Sequence, residues 1–505
     1  MRPLLDPEEM AAADKATIAA GTPGRVLMER AGRAVARAAL DLAGRHYGTR
    51  MAVVCGKGYN GGDGFVAARI LQGQGVAVRC LLLAEPSEYG GDAALHLEAM
   101  IRSGVTQDPF RPRSLTGCDV VIDAIFGTGF KGAAEGPAAA AIEAINSHEA
   151  RVLAVDIPSG VEGRSGAVNG AAVRADATLA IAAQKFGTVL SPGSTHAGEI
   201  RVADIGIEVE DASLYLAEAG DIKALLPVRD AEAHKRSSGS VVVLAGSDGM
   251  SGAALLTTRG AQRMGAGYVT LISTPYVDHA KKSMIPEAVS RSAADPELGP
   301  EVLDEFASDF ERADVVALGP GLGTGPRQRA LVEAALVRLD MPLVLDADAL
   351  NVLGEYPRPL VERGRPTVIS PHPGEMASLL GLAATKVQAD RVGVARRAGE
   401  ELGCVVVLKG AGTIAARPSG PAIVNPTGGP ELATAGTGDV LTGVIAALAG
   451  EGLDAFDAAF AAVFVHGLAG REAGRVAGGH GVVAWDVAEA LPAAVAGLFA
   501  RLETS

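Results

Sequence analysis

Short apolar segments that end in glycine or aspartate, each followed by an alanine-rich stretch, recur along the whole 505-residue chain. Runs such as VVVLAG and CVVVLKG are apolar at every position, which is typical of parallel strands covered by helices on both faces. This alternation predicts an α/β fold. The predicted strands are Met51–Cys55, Val76–Leu83, Val120–Ala124, Arg151–Asp156, Thr178–Ala183, Ser240–Ala245, Tyr268–Ser273, Asp314–Leu318, Leu343–Asp346, Thr367–Ser370 and Val405–Lys409.

The pattern is weakest between Val209 and Ser238, where the charged segment RDAEAHKRSS precedes a new apolar strand. Polar and lightly packed segments of this kind commonly link domains. We therefore predict two domains, residues 1–218 and 219–505. The two halves share a rhythm but no motif, which indicates two different folds rather than a duplication.

Composition and charge narrow the class of protein. The formal net charge of −14 disfavours binding to nucleic acids and to anionic membranes. The N-terminal segment carries Asp6, Glu8 and Glu9 and has no apolar signal core. The most apolar predicted helix, Val440–Ala449, is too short to span a bilayer. Because the four cysteines form no C-x-x-C pair, a reducing compartment is favoured, and we expect a soluble cytoplasmic protein.

In the first half, the strand Met51–Cys55 runs into the glycine-rich segment Gly56–Gly64, and a helix is predicted to begin near Phe65. Glycines at a strand end let a ligand approach the backbone, and the amides of the following helix suit phosphate. Glycines in this pattern also serve tight strand–helix packing, so that alternative stays open.

Polar residues follow other strands of the first half as well. Asp123 precedes a GTGFKG loop, and Asp156 precedes IPSG. Ligands bind at the carboxyl ends of strands in open α/β sheets, so Asn60, Asp123 and Asp156 are expected to converge on one crevice. Each aspartate alone is better explained as a helix cap or a turn former. The three loops together favour a site.

In the second half, the segment ATAGTGD ends at Asp439 and leads into the helical stripe of Val440, Leu441 and Val444. Gly436–Gly438 is therefore placed at a helix N-terminus, where free amides stabilise a phosphoryl group in transfer. Asp439 in the first turn suits a base that takes a proton from an attacking hydroxyl. The alternative is a glycine turn with an aspartate N-cap.

The first half resembles the NAD(P)H-hydrate epimerase family, through Asp14, LMERAG, YNGGDG, DAIFGTG and DIPSGV in this order. The resemblance implies a Rossmann-like three-layer domain, Asp156 as catalytic acid and base, and K⁺ bound by Asn60, Asp123 and Ser159. It implies substrate contacts from Tyr59, Asn60, Gly61, Gly62, Asp63, Gly127, Thr128, Gly129, Phe130, Lys131, Gly132, Ala133 and Asp156.

Tyr59 and Lys185 are two further residues of interest in the first half. Tyr59 stands where the epimerase family usually carries asparagine, so its side-chain contact is in question. Lys185, in the segment AQKFG, is a further candidate for the site, but an ordinary solvent-facing lysine is the favoured interpretation.

The second half resembles the ADP/ATP-dependent NAD(P)H-hydrate dehydratases, which are ribokinase-like α/β proteins. The supporting motifs are LAGS, GPGLG, DADALN, PHPGE, KGAGT and ATAGTGD. The resemblance implies nucleotide contacts from Lys409, Gly410, Ala411, Gly412, Thr413, Gly436, Thr437 and Gly438. It implies substrate contacts from Ala253, Gly321, Gly323, His372 and Asp439, with Glu375 as the residue that orders Mg²⁺.

Ordinary explanations remain for parts of these motifs. His372 alone is more often a satisfied surface or core histidine, and DADALN alone suits a strand end with a capping aspartate. The family commonly reads Asn-Pro-Gly-Met where this chain has Gly429–Leu432, which weakens the nucleotide contacts expected there.

Taken together, the two resemblances imply metabolite repair. The first half would epimerise the R and S forms of hydrated NADH and NADPH, and the second would dehydrate the S form with ADP, giving AMP and phosphate. The expected cofactors are K⁺ and Mg²⁺, with ADP or ATP as co-substrate. We expect small-molecule partners, no nucleic acid, no membrane, and a homo-oligomer. The alternative is a small-alcohol or vitamin-precursor kinase with an N-terminal dinucleotide-sensing domain.

Overall fold

The computed structural model describes residues 1–45, 47–209, 211–227, 238–355 and 357–500. The chain divides into two compact units, Pro3–Leu214 and Tyr215–Ser505, the second of which includes Met1 and Arg2. The N-terminal ammonium donates to Asp221 at 2.6 Å, and this charge pair attaches the first residues to the C-terminal unit. Of the charged segment on which the predicted boundary partly rested, Arg229–Ser237 lies outside the described residues.

The N-terminal unit is a parallel sheet with helices between its strands. Its elements are β1 (Arg2–Leu5), α1 (Pro7–Ala19), α2 (Gly24–Ala43), β2 (Arg50–Cys55), α3 (Tyr59–Gly73), β3 (Ala77–Leu82), α4 (Gly91–Arg102), β4 (Thr106–Pro109), β5 (Val120–Ala124), α5 (Gly136–Asn146), β6 (Arg151–Val155), β7 (Ala177–Ile181), β8 (Gln184–Lys185) and β9 (Glu199–Ala203).

The strand order of this sheet is β4-β3-β2-β5-β6-β7-β9, with every printed pairing parallel. The order reverses between β2 and β5, which makes the carboxyl ends of these two strands the expected ligand crevice of a Rossmann-like sheet. The predicted strands of the first half are confirmed to within one or two residues. The sequence missed β4 and β9, whose outer positions are largely exposed and polar because both strands lie at the sheet edges.

The C-terminal unit repeats the strand–helix alternation with a larger sheet. Its elements are β10 (Leu214–Leu216), α6 (Ala219–Leu225), β11 (Ser240–Leu244), α7 (Ser251–Met264), β12 (Tyr268–Ser273), α8 (Pro275–Met284), β13 (Val289–Ser292), α9 (Val302–Glu305), α10 (Ala307–Phe310), β14 (Val315–Leu318), α11 (Pro326–Arg338), β15 (Leu343–Leu345), α12 (Asp348–Leu353), α13 (Arg358–Glu362), β16 (Thr367–Ile369), α14 (Pro373–Leu379), α15 (Ala384–Ala389), α16 (Arg391–Leu402), β17 (Val405–Leu408), β18 (Ile414–Ala416), β19 (Ala422–Val424), α17 (Thr437–Gly450), α18 (Ala455–Val476) and α19 (Ala484–Ala500).

Its strands run in the order β13-β12-β11-β14-β15-β16-β17-β18-β19, parallel as far as β17 and antiparallel from there. The order reverses between β11 and β14, so this unit also has a switch point. All predicted strands of the second half are present. The division between the two units falls at Leu214/Tyr215, and Tyr215 and Leu216 belong to a strand beside β19, whereas the boundary at 218/219 stays a prediction.

Helix α17 is buried along most of its length, and two glycines hold it against α7. A Cβ added to Gly443 would lie 2.0 Å from the Thr257 carbonyl oxygen, and one added to Gly260 would lie 2.5 Å from the Val440 carbonyl oxygen. Only glycine permits backbones to approach this closely. The contact fixes the position of α17, whose N-terminus carries the GTGD motif.

Two further observations concern membrane-spanning helices and the cysteines. None of the described helices is long and apolar enough to cross a membrane. All four cysteines are buried and unbridged, and the Cys55 and Cys80 sulfurs lie 3.6 Å apart on neighbouring strands.

Gly443→Ala is expected to destabilise the C-terminal unit, because the added methyl group has no room against the Thr257 carbonyl. Overpacking of this kind costs about 1–3 kcal/mol. Gly497 on α19 is a matched control, since a Cβ there meets no atom within 4 Å. Gly497→Ala should be neutral or stabilising by up to about 1 kcal/mol. Urea unfolding of the full chain measures both, and equal stabilities of the two variants would contradict this packing account.

Candidate active sites

A cavity of about 1130 Å³ lies in the N-terminal unit, at the carboxyl ends of β2 and β5. A pocket of this size accommodates a large small-molecule ligand. The loops after β2, β5 and β6 line it, together with α1 and the start of α2. The predicted contact residues that reach its wall are Tyr59, Asn60, Asp63, Gly127, Thr128, Gly129, Phe130, Lys131 and Asp156.

The YNGGDG motif forms the first turn and a half of α3, so the prediction of a helix start near Phe65 is wrong. The reason is close packing: a Cβ on Gly61 would lie 2.0 Å from the Gly56 carbonyl oxygen, and one on Gly62 would lie 2.5 Å from the Met28 sulfur. Gly61 and Gly62 are therefore packing residues that do not line the cavity. Tyr59 is 76% exposed at the helix start.

Gly132 and Ala133 are also absent from the cavity wall. The Gly132 amide donates to the Glu162 carboxylate at 3.0 Å. Substrate contact by Gly132 and Ala133 stays a prediction.

Asp156, directly after β6, is held at the cavity in a fixed orientation. Its φ angle is +70°, a region that side chains other than glycine rarely adopt. Its Oδ2 accepts from the Thr128 amide and its Oδ1 from the Ile181 amide, both at 3.2 Å. Its Oδ1 also forms an ion pair with Lys185.

Lys185 is 1% exposed, so the interpretation as a solvent-facing lysine is wrong. Its Nζ also donates to the carbonyl oxygens of Ile181 at 2.6 Å and Ala183 at 2.8 Å. These contacts satisfy all three ammonium hydrogens. Strand β8 brings Lys185 under Asp156, a juxtaposition for which the sequence offers no signal.

The predicted K⁺ residues form one oxygen-rich cluster. Asp123 is fully buried and accepts from Ser159 twice, at Oδ1 from the hydroxyl (2.6 Å) and at Oδ2 from the amide (2.8 Å). Asn60 Nδ2 donates to the Phe126 carbonyl at 2.9 Å, while Asn60 Oδ1 is buried without a hydrogen-bond partner among the described residues. Burial raises the pKa of Asp123 to about 6.

Two other carboxyl groups share the cavity with Asp156. Burial raises the pKa of Asp63 well above its usual value, and it also raises the pKa of Asp14, while the charge of Asp156 adds to both effects. Asp14 entered the sequence analysis only as part of a family motif. Its place on α1, facing the cavity, makes it a site residue that the sequence reasoning missed.

In the C-terminal unit, α17 begins at Thr437, after Gly436 with a φ of +91°. The Thr437 hydroxyl is shared between the carbonyl oxygens of Leu432 (2.9 Å) and Thr434 (3.0 Å), which ties down the preceding loop. No side chain caps this helix. The alternative of Asp439 as an N-cap is therefore wrong, and the first-turn amides remain available for a ligand.

Asp439 lies half-buried within a group of charged residues. Burial raises its pKa to about 7, and the charge of Asp346 adds to the increase while Lys409 opposes it. Lys409 Nζ donates to Asp346 Oδ1 at 2.7 Å and lies 4.0 Å from Glu375 Oε2. The Thr442 hydroxyl donates to Asp346 Oδ2 at 2.7 Å. A carboxyl group with a pKa near neutrality suits a general base.

His372 and Glu375 cap the start of α14 reciprocally. His372 Nδ1 accepts from the amides of Gly374 (2.9 Å) and Glu375 (3.2 Å), and Glu375 Oε2 accepts from the His372 amide (2.7 Å). Because Nδ1 is an acceptor, a neutral His372 carries its hydrogen on Nε2 and presents a donor. The structure thus gives His372 a local capping role that the sequence did not indicate.

The remaining predicted substrate residues meet at the ends of β11 and β14. Gly321 has a φ of +60°, and a Cβ there would lie 3.1 Å from the Ala253 Cβ. The Ser247 hydroxyl donates to the Gly321 carbonyl at 2.8 Å, and the Gly323 amide donates to the Asp348 carboxylate at 2.9 Å. These contacts bring Ala253, Gly321 and Gly323 to the switch point of the sheet.

The segment Lys409–Thr413 follows β17 and is held by Arg391. This buried guanidinium donates to the carbonyl oxygens of Leu408 (3.2 Å), Lys409 (3.3 Å) and Gly412 (3.3 Å). Sequence reasoning missed Arg391, because it comes from α16, outside every motif.

Comparison with known proteins shows to which family the chain belongs. Residues 241–493 match the family model described as NAD(P)H-hydrate dehydratase, and residues 24–187 match the model described as YjeF-related protein N-terminus. A protein from Moorella thermoacetica, named bifunctional NAD(P)H-hydrate repair enzyme, is 40% identical over 95% of this chain and 94% of its own length. The protein of the same name from Escherichia coli K12 is 35% identical over 91% of this chain and 87% of its own.

A similar solved structure is known from Bacillus subtilis. The ADP/ATP-dependent NAD(P)H-hydrate dehydratase from Bacillus subtilis, co-crystallised with ATP and Mg²⁺, is 32% identical, with a TM-score of 0.48. It covers 56% of this chain and 98% of its own. Since relatives at 35–40% identity extend through both units, this chain belongs to the family of bifunctional NAD(P)H-hydrate repair enzymes.

Proposed function

We propose that this chain repairs hydrated NADH and NADPH in two reactions. The N-terminal unit interconverts the R and S epimers, and the C-terminal unit dehydrates the S epimer with ADP, giving AMP and phosphate. The observation that carries the proposal is one carboxylate in each unit: Asp156 lines the cavity of the N-terminal unit, and Asp439 lies in the first turn of α17 near Lys409 and Asp346. The full-length match to repair enzymes supports the same pair of reactions.

Epimerisation requires one proton to be given and one to be taken. The substrate carries a hydroxyl on a carbon next to the ring nitrogen, whose lone pair can expel it. Asp156 protonates the departing oxygen and takes a proton from the water that returns to the other face. Lys185 holds Asp156 in place through Oδ1, so that Oδ2, beside the Thr128 amide, is the oxygen nearer the loop after β5.

Dehydration requires a better leaving group than hydroxide. Asp439 takes the proton of the substrate hydroxyl, whose oxygen attacks the terminal phosphorus of the nucleotide. The bridging P–O bond breaks, and the electron pair leaves with AMP. The amides of Gly436–Gly438 stabilise the charge on the phosphoryl oxygens. The ring nitrogen then expels phosphate, and loss of a neighbouring proton restores the dihydropyridine.

We propose K⁺ at Asn60, Asp123 and Ser159. The buried Asn60 Oδ1 without a partner and the buried Asp123 carboxyl fit a hard cation, which prefers oxygen ligands. Bound there, K⁺ would supply a positive charge that neutralises Asp123 and orders the surrounding loops.

We propose Mg²⁺ near Glu375. The described residues contain no group of three or more His, Cys, Asp or Glu side chains that could hold a metal by themselves. Mg²⁺ would therefore be shared with nucleotide phosphates, and it would supply charge neutralisation to them. We also propose substrate contacts from Ala253, Gly321, Gly323 and His372. The loops after the strands meet at the carboxyl-end edge of the sheet, which supports these contacts.

The kinase alternative is not favoured, because the relatives that extend through both units are named repair enzymes. A cytoplasmic location is supported by four unbridged, buried cysteines. Self-association into a homo-oligomer stays a prediction.

Asp156→Asn and Lys185→Met are each expected to slow epimer exchange by about 10²–10⁴-fold, because proton transfer or its alignment is lost. Dehydration of the S epimer should be unchanged. The assay supplies mixed epimers and ADP and follows the absorbance of regenerated NADH. In the time that the wild type needs to convert both epimers, these variants should convert only the S epimer. Asp108→Asn, at an exposed position on β4, is the matched control. Full recovery by Asp156→Asn at the wild-type rate would contradict the assignment.

K⁺ is expected to raise the melting temperature of the N-terminal unit more at pH 8 than at pH 5. Burial raises the pKa of Asp123 from 3.8 to about 6, so its stabilising contribution is present at low pH and lost as the pH rises through 6. A bound cation offsets that loss. One kcal/mol corresponds to about 2–4 °C for a unit of this size. Melting curves in KCl and LiCl at equal ionic strength measure the effect. An unchanged K⁺ effect in Asp123→Asn would refute the site.

The dehydration rate is expected to fall about tenfold per pH unit below pH 7, where Asp439 becomes protonated and can no longer act as a base. Asp439→Asn should lower kcat by about 10²–10⁴-fold above pH 7 and remove this pH dependence. Asp348→Asn removes a negative charge that raises the pKa of Asp439, so the midpoint should move to lower pH. A midpoint that stays in place or rises in Asp348→Asn would contradict this electrostatic account.

A further inference from the structure

We propose that Lys409 is a catalytic residue of the dehydration reaction: its ammonium binds the phosphoryl group during transfer, and Asp346 and Thr442 position it there. The proposal rests on the proposed dehydration and goes beyond it, since the family resemblance implies only that the segment Lys409–Thr413 holds the nucleotide.

The backbone of Lys409 is anchored at the end of β17. Its amide donates to the Pro371 carbonyl at 2.9 Å, and its carbonyl accepts from Arg391. From this anchor the side chain reaches past the end of β16 to the end of β15, where Nζ donates to Asp346 Oδ1 at 2.7 Å. The side chain is only 20% exposed. The ammonium is therefore directed into the sheet-end crevice and away from solvent.

The ammonium lies beside the first turn of α17. A Cβ on Gly438 would be 3.4 Å from Lys409 Nζ and 3.9 Å from Asp346 Oδ2. The Thr442 hydroxyl, one turn further along α17, donates to the same Asp346 oxygen at 2.7 Å. Asp346 thus links the lysine to the helix whose free amides suit a phosphoryl group. The positive charge and the amides converge on one place.

The charges around Asp439 favour this role for the lysine. Among the described side chains whose charges act most strongly on Asp439, which are Asp346, Lys409, Asp348 and Glu375, Lys409 is the one cation. A phosphoryl group in transfer spreads negative charge over its oxygens. Beside three further carboxyl groups it would be repelled, unless a cation lay at the helix start. Lysine suits this role, since its ammonium is a compact point charge with three donors.

The step balances without a change in the protonation of Lys409. The bond between the terminal phosphorus and the bridging oxygen breaks, with its electron pair leaving on AMP. The new P–O bond forms to the substrate oxygen, whose proton goes to Asp439. Lys409 stays an ammonium and donates hydrogen bonds to the phosphoryl oxygens before, during and after transfer.

AMP distinguishes this role from ordinary nucleotide binding, because it keeps the adenosine and the first phosphate but lacks the phosphoryl group that moves. In Lys409→Met, kcat for dehydration is expected to fall about 10²–10³-fold, as for loss of a group that stabilises developing charge. The dissociation constant of AMP, measured by calorimetry, should change less than about threefold. Lys409→Arg should recover part of kcat, and the exposed Lys386→Met should match the wild type.

A loss of AMP affinity as large as the loss in kcat/KM would overturn the proposal and assign Lys409 to the adenosine part of the nucleotide. An unchanged kcat in Lys409→Met would overturn it equally. Should Lys409→Met fail to fold because it leaves Asp346 buried and unpaired, the double variant Lys409→Met/Asp346→Asn removes both partners, and the same two measurements decide.

The positioning role of Asp346 and Thr442 is tested by combining substitutions at these residues with Lys409→Met. At a pH well above 7, Asp346→Asn and Thr442→Val should lower kcat alone but add little to the loss in Lys409→Met, since all three act through one ammonium. Thr442→Ser keeps the hydroxyl and should restore the rate. If the losses in kcat multiplied in the combined variants, Asp346 and Thr442 would not act through Lys409. A wild-type chain that binds ADP but restores no NADH absorbance would refute the proposed function itself, whereas wild-type recovery with an unimpaired Lys409→Met refutes only this inference.

Discussion

A buried lysine paired with an aspartate at a strand end underlies the site in each unit. Asp156 with Lys185, and Asp346 with Lys409, are the two cases. Removing such charges from water is costly, and the cost is met only when each charge has a partner and the remaining donors are satisfied. Lys185 meets this condition through two backbone carbonyls, whereas Lys409 donates to Asp346 and lies 4.0 Å from the Glu375 carboxylate. Each pair therefore holds its aspartate in one orientation.

Glycines make these charged sites compatible with a packed core. They seat α3 against the end of β2 and α17 against α7, at distances that no side chain would allow. The N-termini of α3 and α17 consequently lie at the carboxyl ends of the strands, where ligands bind in open α/β sheets. The glycine positions serve packing and site formation at once, which is why Gly61 and Gly62 belong to a ligand-binding motif without lining the cavity.

The carboxyl groups proposed to act in the two units lie in different surroundings. Asp156 is bound to a lysine and to two amides, whereas Asp439 lies among other carboxyl groups and has a pKa raised to about 7. The first arrangement suits a group that gives and takes protons in turn. The second suits a base matched to neutral pH beside a phosphoryl group. In the proposed function, exchange of epimers would make both forms of the damaged cofactor available to a dehydratase that accepts one.

The sequence by itself determined the α/β class, the central strands of both sheets and the loops that carry the candidate site residues. Runs that are apolar at every position predict buried parallel strands, and polar residues directly after them fall at the same sheet edge. The edge strands β4 and β9 were not predicted, because their exposed positions lack the apolar pattern of a buried strand. Tertiary structure alone decided that Lys185 is buried under Asp156, that Arg391 holds the loop after β17, and that Lys409 reaches Asp346. These contacts join residues far apart in the chain, and a single lysine or arginine has the same local pattern whether it faces water or a buried carboxylate.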